Sequence, residues 1–221
     1  MALVAVRGFR RSLGTGKSLS FVSHQRKSFL TMSVTSYYGR LTEKQYQDMR
    51  HDPDGLAQFV TGALPKENLL YLDKAAPVIA WLLSPLKRHE QAHFAAVCRA
   101  EDLDNFHKPE LGPEPPMDEI LIPLEGRGEK DERLDVGMGP ACVISTSEAK
   151  RFAEKLAAIG ESELRQRLSF QEMEDAALPV DYWLEEGESI FSEYVLPLFQ
   201  QLQSFYTTAA QEDQMVLVWW S

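Results

Sequence analysis

The chain closes on MVLVWW, Met215–Trp220, six apolar residues without a break. A run of that length is too short for a globular helix and reads as a strand. With no polar side chain on either face, that strand must be well buried. Ahead of it, Ile190, Phe191, Tyr194, Val195, Leu198, Leu202 and Phe205 recur at helical spacing along one long segment, with a bend expected at Pro197. Any fold available to this chain has to close around the terminal strand.

The rest of the pattern is mostly helical. Ser33–Arg40 is β-branched and aromatic and predicts a first strand. Thr42 and Gln45 form a capping box for a short helix to about Arg50, and Pro53 opens another with Leu56, Phe59 and Val60. The spacing predicts a helix over Leu72–Leu83 with Asp73 as its N-cap, then a fresh helix from Lys87 towards Asp102. Between Asn105 and Gly139 the chain is rich in Pro, Gly and acid, and reads as a long loop with one short edge strand at Glu119–Pro123. Ala141–Ser145 is a strand. Ser145 with Glu148 caps a helix that stops at Gly160, a short helix follows over Ser162–Leu168, and Ser169 with Glu172 caps a third. Helices dominate, strands stand at both ends and in the middle, and no βαβ alternation is present. The expectation is a helix-rich α+β domain with a small mixed sheet that includes the first and last strands.

Net charge sharpens the functional question. The 221 residues sum to −10, yet the first 31 hold six basic residues and no acid, which leaves −16 on the remainder. A body that acidic is a poor match for nucleic acid or an anionic membrane surface and suits a basic protein partner. No run of about 18 apolar residues exists to span a membrane. Cys98 and Cys142 form no CxxC pair, and the default for two such cysteines is reduced thiols in the cytoplasm, although one bridge between them stays open. The segment 1–31, rich in Arg and Ser, has the composition of a transit peptide, which would imply an organelle; the preferred reading is that the functional chain starts at Met32. Gly14-Thr15-Gly16-Lys17-Ser18 imitates the end of a phosphate-binding loop. Arg11 stands where the first glycine belongs, and no amphipathic helix follows, so the nucleotide reading fails.

The order of features from Ser33 onward resembles the YfbM-like family, a bacterial domain of unknown function. The resemblance is carried by Gly139-Pro140 before a short strand, the Ser145/Glu148-capped helix, the small helix ending near Arg167, Pro179 followed by Trp183, the long helix and the apolar last strand. Leu72-Asp73-Lys74 before an apolar helix matches the family's Leu-Asp-Lys segment, and the strand at Ser33–Tyr38 its opening. It departs from the family at Ala76, where a tryptophan is common, and in having no histidine between Asp73 and Leu83. The resemblance implies one domain over 32–221 and carries no activity with it.

Two groups of residues are candidates for function. His89-Glu90-Gln91-Ala92-His93 has the spacing of the zincin motif, which on a helix sets two imidazoles one turn apart with Glu90 as the base of a zinc-bound water. The extended motif fails, with Ala96 and Arg99 where its glycine and third histidine belong. The only replacements are His107, Glu110 or Glu114, in the Pro-rich segment, so the plainer reading is a solvated helix face with two surface histidines. Asp73, Lys74 and Trp183 are the second group, a possible binding pocket, against which stand helix capping for Asp73 and core packing for Trp183. No Gly-x-Ser-x-Gly elbow exists and neither cysteine has a nucleophile motif around it. The sequence therefore favours a non-enzymatic protein-binding domain without a cofactor; the alternative is a zinc-dependent hydrolase on His89, Glu90 and His93.

Overall fold

The computed structural model describes residues 35–52, 65–99, 112–135, 138–180 and 182–220, without the side chains of 98 and 99. In chain order the elements are β1 (Ser36–Leu41), α1 (Glu43–His51), a 3₁₀ turn (Lys66–Asn68), β2 (Leu69–Tyr71), α2 (Ala75–Leu83), α3 (Pro85–Arg99), α4 (Leu121–Glu125), β3 (Lys130–Asp135) and β4 (Pro140–Ile144). There follow α5 (Thr146–Ala157), α6 (Glu161–Gln166), α7 (Phe170–Asp175), α8 (Trp183–Ile190), a π turn (Phe191–Val195), α9 (Leu196–Gln211) and β5 (Met215–Trp220). The fold is α+β.

The strands make one sheet in the order β2-β1-β5-β4-β3. All its pairings are antiparallel, where a mixed sheet was expected. The terminal strand is its centre. Val216 and Val218 face the helices and join a core with Tyr38, Ile144, Phe152 and Phe199. Met215, Leu217 and Trp219 face the other way, onto Tyr46 and Met49 of α1. MVLVWW is apolar throughout because a layer covers each face, and each such side chain contributes about 1.5–3 kcal/mol when fully buried. Trp219 is core and Trp220 half-buried, as alternation on a strand requires.

The capping signals place three helices. Thr42 and Gln45 form a full capping box on α1, as do Ser145 and Glu148 on α5, and the Ser169 hydroxyl accepts from the Glu172 N–H to start α7. The long C-terminal helix is interrupted not by a simple bend but by the π turn directly before Pro197, where the Leu196 N–H reaches back to the Phe191 carbonyl. Pro197 has no N–H to offer the carbonyl of Glu193, and the helix widens just ahead of it.

Two expectations between 105 and 139 are overturned. Glu119–Pro123 is not an edge strand: Asp118 turns the chain, accepting from the Ile120 N–H at 3.1 Å, and Leu121–Glu125 is one buried helical turn. A short apolar run fits either form, and here the buried turn wins. Gly126 ends it at φ +59; a Cβ there would lie 3.2 Å from both Cys142 Cβ and Val218 Cγ1, so a side-chain-free turn lets α4 sit against the sheet. The tract KDERLD, expected as loop, is β3. A register irregularity buries Asp131 and Leu134, three apart, so the alternation that announces a strand is absent from its sequence. The helix expected from Pro53 lies outside the described residues.

Candidate functional site

The zincin-like segment lies on α3, and every charged side chain around it is committed to packing. Lys87 and Arg127 both pair with Glu125, whose side chain is 2% exposed. Arg127 also grips Glu90 with two parallel hydrogen bonds, Nη1 to Oε1 at 2.5 Å and Nη2 to Oε2 at 2.6 Å. Arg88 stacks 4.8 Å above the Trp81 ring and donates from Nε to the Trp81 carbonyl and from Nη2 to that of Leu82. Arg167 adds weaker bonds to Leu82 and Leu83, so two cations close the C-terminus of α2, the end its dipole makes negative.

This geometry decides what Glu90 can do. The Arg127 hydrogen bonds hold its carboxyl below the usual carboxylate range, outweighing the burial that pushes it up. A general base for water needs a free lone pair and a proton affinity near neutrality. Glu90 has neither. His89 and His93 are half-buried, not the surface pair expected, and His93 Nε2 is buried without a hydrogen-bond partner. Among the described residues no three His, Cys, Asp or Glu side chains are grouped to hold a metal ion. His107 and Glu110 lie outside the described residues.

Asp73 is not a helix cap. Lys74 occupies the cap position of α2 and no side chain bonds the helix N-terminus there. Asp73 sits at φ +45, a left-handed conformation that Asp tolerates better than most residues. Its carboxylate accepts from the Tyr194 hydroxyl at 2.9 Å and from that of Tyr71 at 3.3 Å, while the Lys74 N–H donates to Tyr194 at 3.1 Å. Tyr194 belongs to the π turn, which joins two unusual backbone features at one point. Burial, then the Asp73 carboxylate, raise the Tyr194 phenol well above its ordinary value, so at neutral pH it donates a proton bond and cannot act as a base. Tyr71, about half exposed, is 5.1 Å from the Tyr37 ring, which stacks on Trp219 at 5.6 Å. An anion fixed beside an exposed aromatic face can recognise a cation.

Asp73 and Lys74 thus share a cluster. Trp183 presents no face to a ligand: it is 1% exposed in the core, its backbone N–H is held by Glu174 Oε2 at 3.2 Å, and its indole Nε1 is buried without a hydrogen-bond partner. Tyr194, Tyr71 and Arg127 were missed. Tyr194 reads as one more apolar position of the long helix, and Arg127 as part of a loop.

A family model described as a domain of unknown function, DUF1877, matches residues 32–219. Among solved structures, a protein of unknown function from Escherichia coli, YfbM, is similar at 15% identity and a TM-score of 0.49, over 83% of this chain and 98% of that one. No curated protein matches.

Proposed function

The chain belongs to the DUF1877 family, and from that premise we propose that it is a protein-binding domain, working in the cytoplasm without a cofactor, whose partner is a basic protein. One surface carries the reading. Where α7 leads into α8, Tyr182 is 60% exposed and Leu184 50%, on either side of the buried Trp183. The carboxylates of Glu172, Asp175, Glu185 and Glu186 are exposed on the same two helices. Apolar anchors inside a charged rim have the composition of a protein interface, and a rim of one sign selects a partner of the other. The Asp73–Tyr71 cluster offers a second anion beside an aromatic ring. Nucleic acid, itself an anion, would be repelled.

The test is stoichiometric capture at low salt with a chain starting at Met32, beside Glu185→Lys/Glu186→Lys. A basic partner retained by the first, released by salt and lost by the second supports the reading. Capture that ignores the charge reversal rejects it. The second reading is the zinc hydrolase, favoured by one observation, the buried and unpartnered Nε2 of His93. It predicts zinc retention that disappears in His93→Ala.

A further inference from the structure

Between α9 and the β1–β2 edge runs a groove of about 520 Å³. Its polar lining comes from Gln200, Gln201, Ser204 and Thr208 on one side, with Arg40 and the Phe205 ring at its floor. Arg40 is 5% exposed, and its guanidinium lies 5.1 Å above Phe205. Nη2 donates to the Glu67 carbonyl at 2.6 Å and to Asn68 Oδ1 at 3.3 Å. Nε and Nη1 are buried and have no hydrogen-bond partner, and the nearest opposite charge, Glu212, stands 4.0 Å from Nη1. A buried guanidinium with two unmade bonds is costly, and such groups in folded chains call for a partner. An oxyanion has the geometry to accept both bonds of a guanidinium.

Charge narrows the class. Glu212 stands half exposed beside Arg40, and Glu67 lines the groove. One buried cation under two acids repels a bare anion on entry and attracts a molecule that is negative at one end and positive at the other. We propose that the groove binds a small zwitterion of the amino-acid or short-peptide type. Its carboxylate takes the place of Glu212 on Arg40, its ammonium meets the displaced Glu212, and the amides and hydroxyls of α9 contact its middle. The site is independent of the acidic surface on α7 and α8, so either can fail alone.

The experiment is an amide-resolved NMR titration of the whole chain with glycine and glycylglycine as zwitterions and with acetate and ethylammonium as the two halves. Shifts should centre on Gln200–Thr208, and the better zwitterion should bind at least about tenfold more tightly than acetate, a difference of about 1.4 kcal/mol. Arg40→Gln should abolish the shifts. Glu212→Gln, at an exposed position where folding is not in question, should weaken the zwitterion and strengthen acetate until the two are alike. Acetate equal to both zwitterions in the unmodified chain overturns the proposal. So does a zwitterion affinity unchanged by Glu212→Gln, or the absence of any shift in the groove.

Discussion

The hydroxyl of Tyr194 and the carboxylate of Asp73 are 121 positions apart in sequence and 2.9 Å apart in space. The contact ties a π turn to a left-handed residue, two local conformations with little to sustain them separately. Tyr194→Phe removes the bond to Asp73 and the acceptor for the Lys74 N–H while leaving the ring. We expect a loss of about 0.5–1.5 kcal/mol in urea unfolding, the net worth of a part-buried hydrogen bond, since Asp73 keeps its bond from Tyr71 and water reaches the Lys74 N–H. Asp73→Gly should lose less than Asp73→Ala, because glycine takes positive φ without strain. Equal losses for the two would show that the left-handed backbone is not what Asp73 supplies.

Arg127 joins Glu90 and Glu125, and Lys87 completes the group. Arg127→Leu leaves the 2%-exposed Glu125 with Lys87 as its single cation, so the loss should stay below about 3–5 kcal/mol, the cost when a buried charge keeps no partner. Glu90→Gln should be much milder, as that side chain is about a third exposed. The pH dependence has a definite sign. The Glu90 carboxyl is depressed in the folded chain, so its contribution is present above the unfolded carboxyl value near ~4.3 and is lost as pH falls through the lower folded value. Acid titration of stability should therefore be flatter below about pH 4 in Glu90→Gln than in the unmodified chain. Parallel curves would mean the Arg127 bond does not discriminate between the two protonation states.

The fold was legible where local chemistry and tertiary packing agree. The capping serines and threonine gave α1, α5 and α7, and MVLVWW announced the central strand because both its faces are covered. Reading failed where a distant residue settles the outcome. Asp73 is a good N-cap by composition, yet Tyr71 and Tyr194 draw its carboxylate away from the helix. Lys130–Asp135 has no alternation to read, because an irregular register buries Asp131, which then accepts from Tyr46 at 2.8 Å. The HEQAH spacing was real, but the fate of Glu90 depends on Arg127, 37 residues on, in a tract with no pattern of its own. Arg40 shows the same limit: nothing around it in sequence says that it lies under a groove.

Gly187 on α8 touches the Phe170 ring of α7, and a Cβ there would sit 2.5 Å from Cδ1 and 2.7 Å from Cγ. Those atoms are near the root of the ring and cannot swing aside cheaply. Helix propensity alone favours Ala over Gly by about 1 kcal/mol. Overpacking costs about 1–3 kcal/mol, so Gly187→Ala should lower the unfolding midpoint despite the better helix former. Adding Phe170→Leu should recover part of the loss. If Gly187→Ala proves stabilising, the α7–α8 contact is looser than this geometry, and the surface around Tyr182 and Leu184 is less fixed.

Metal content discriminates between the two readings of α3. Zinc catalysis needs three protein ligands, an open position and a base. Here two imidazoles one turn apart are available, while the Glu90 carboxylate is held by two arginine hydrogen bonds. Recruiting Glu90 as a base would mean breaking both and leaving Arg127 to Glu125 alone. We therefore expect elemental analysis of an untagged chain starting at Met32 to give no stoichiometric zinc, with His89→Ala/His93→Ala indistinguishable from it. Arg127→Leu frees Glu90, and it should still give none, because no third ligand stands beside His89 and His93 among the described residues. About one zinc per chain, lost in the double variant, would instead give the Nε2 of His93 its missing partner, place the third ligand among residues such as His107 or Glu110, and restore the hydrolase.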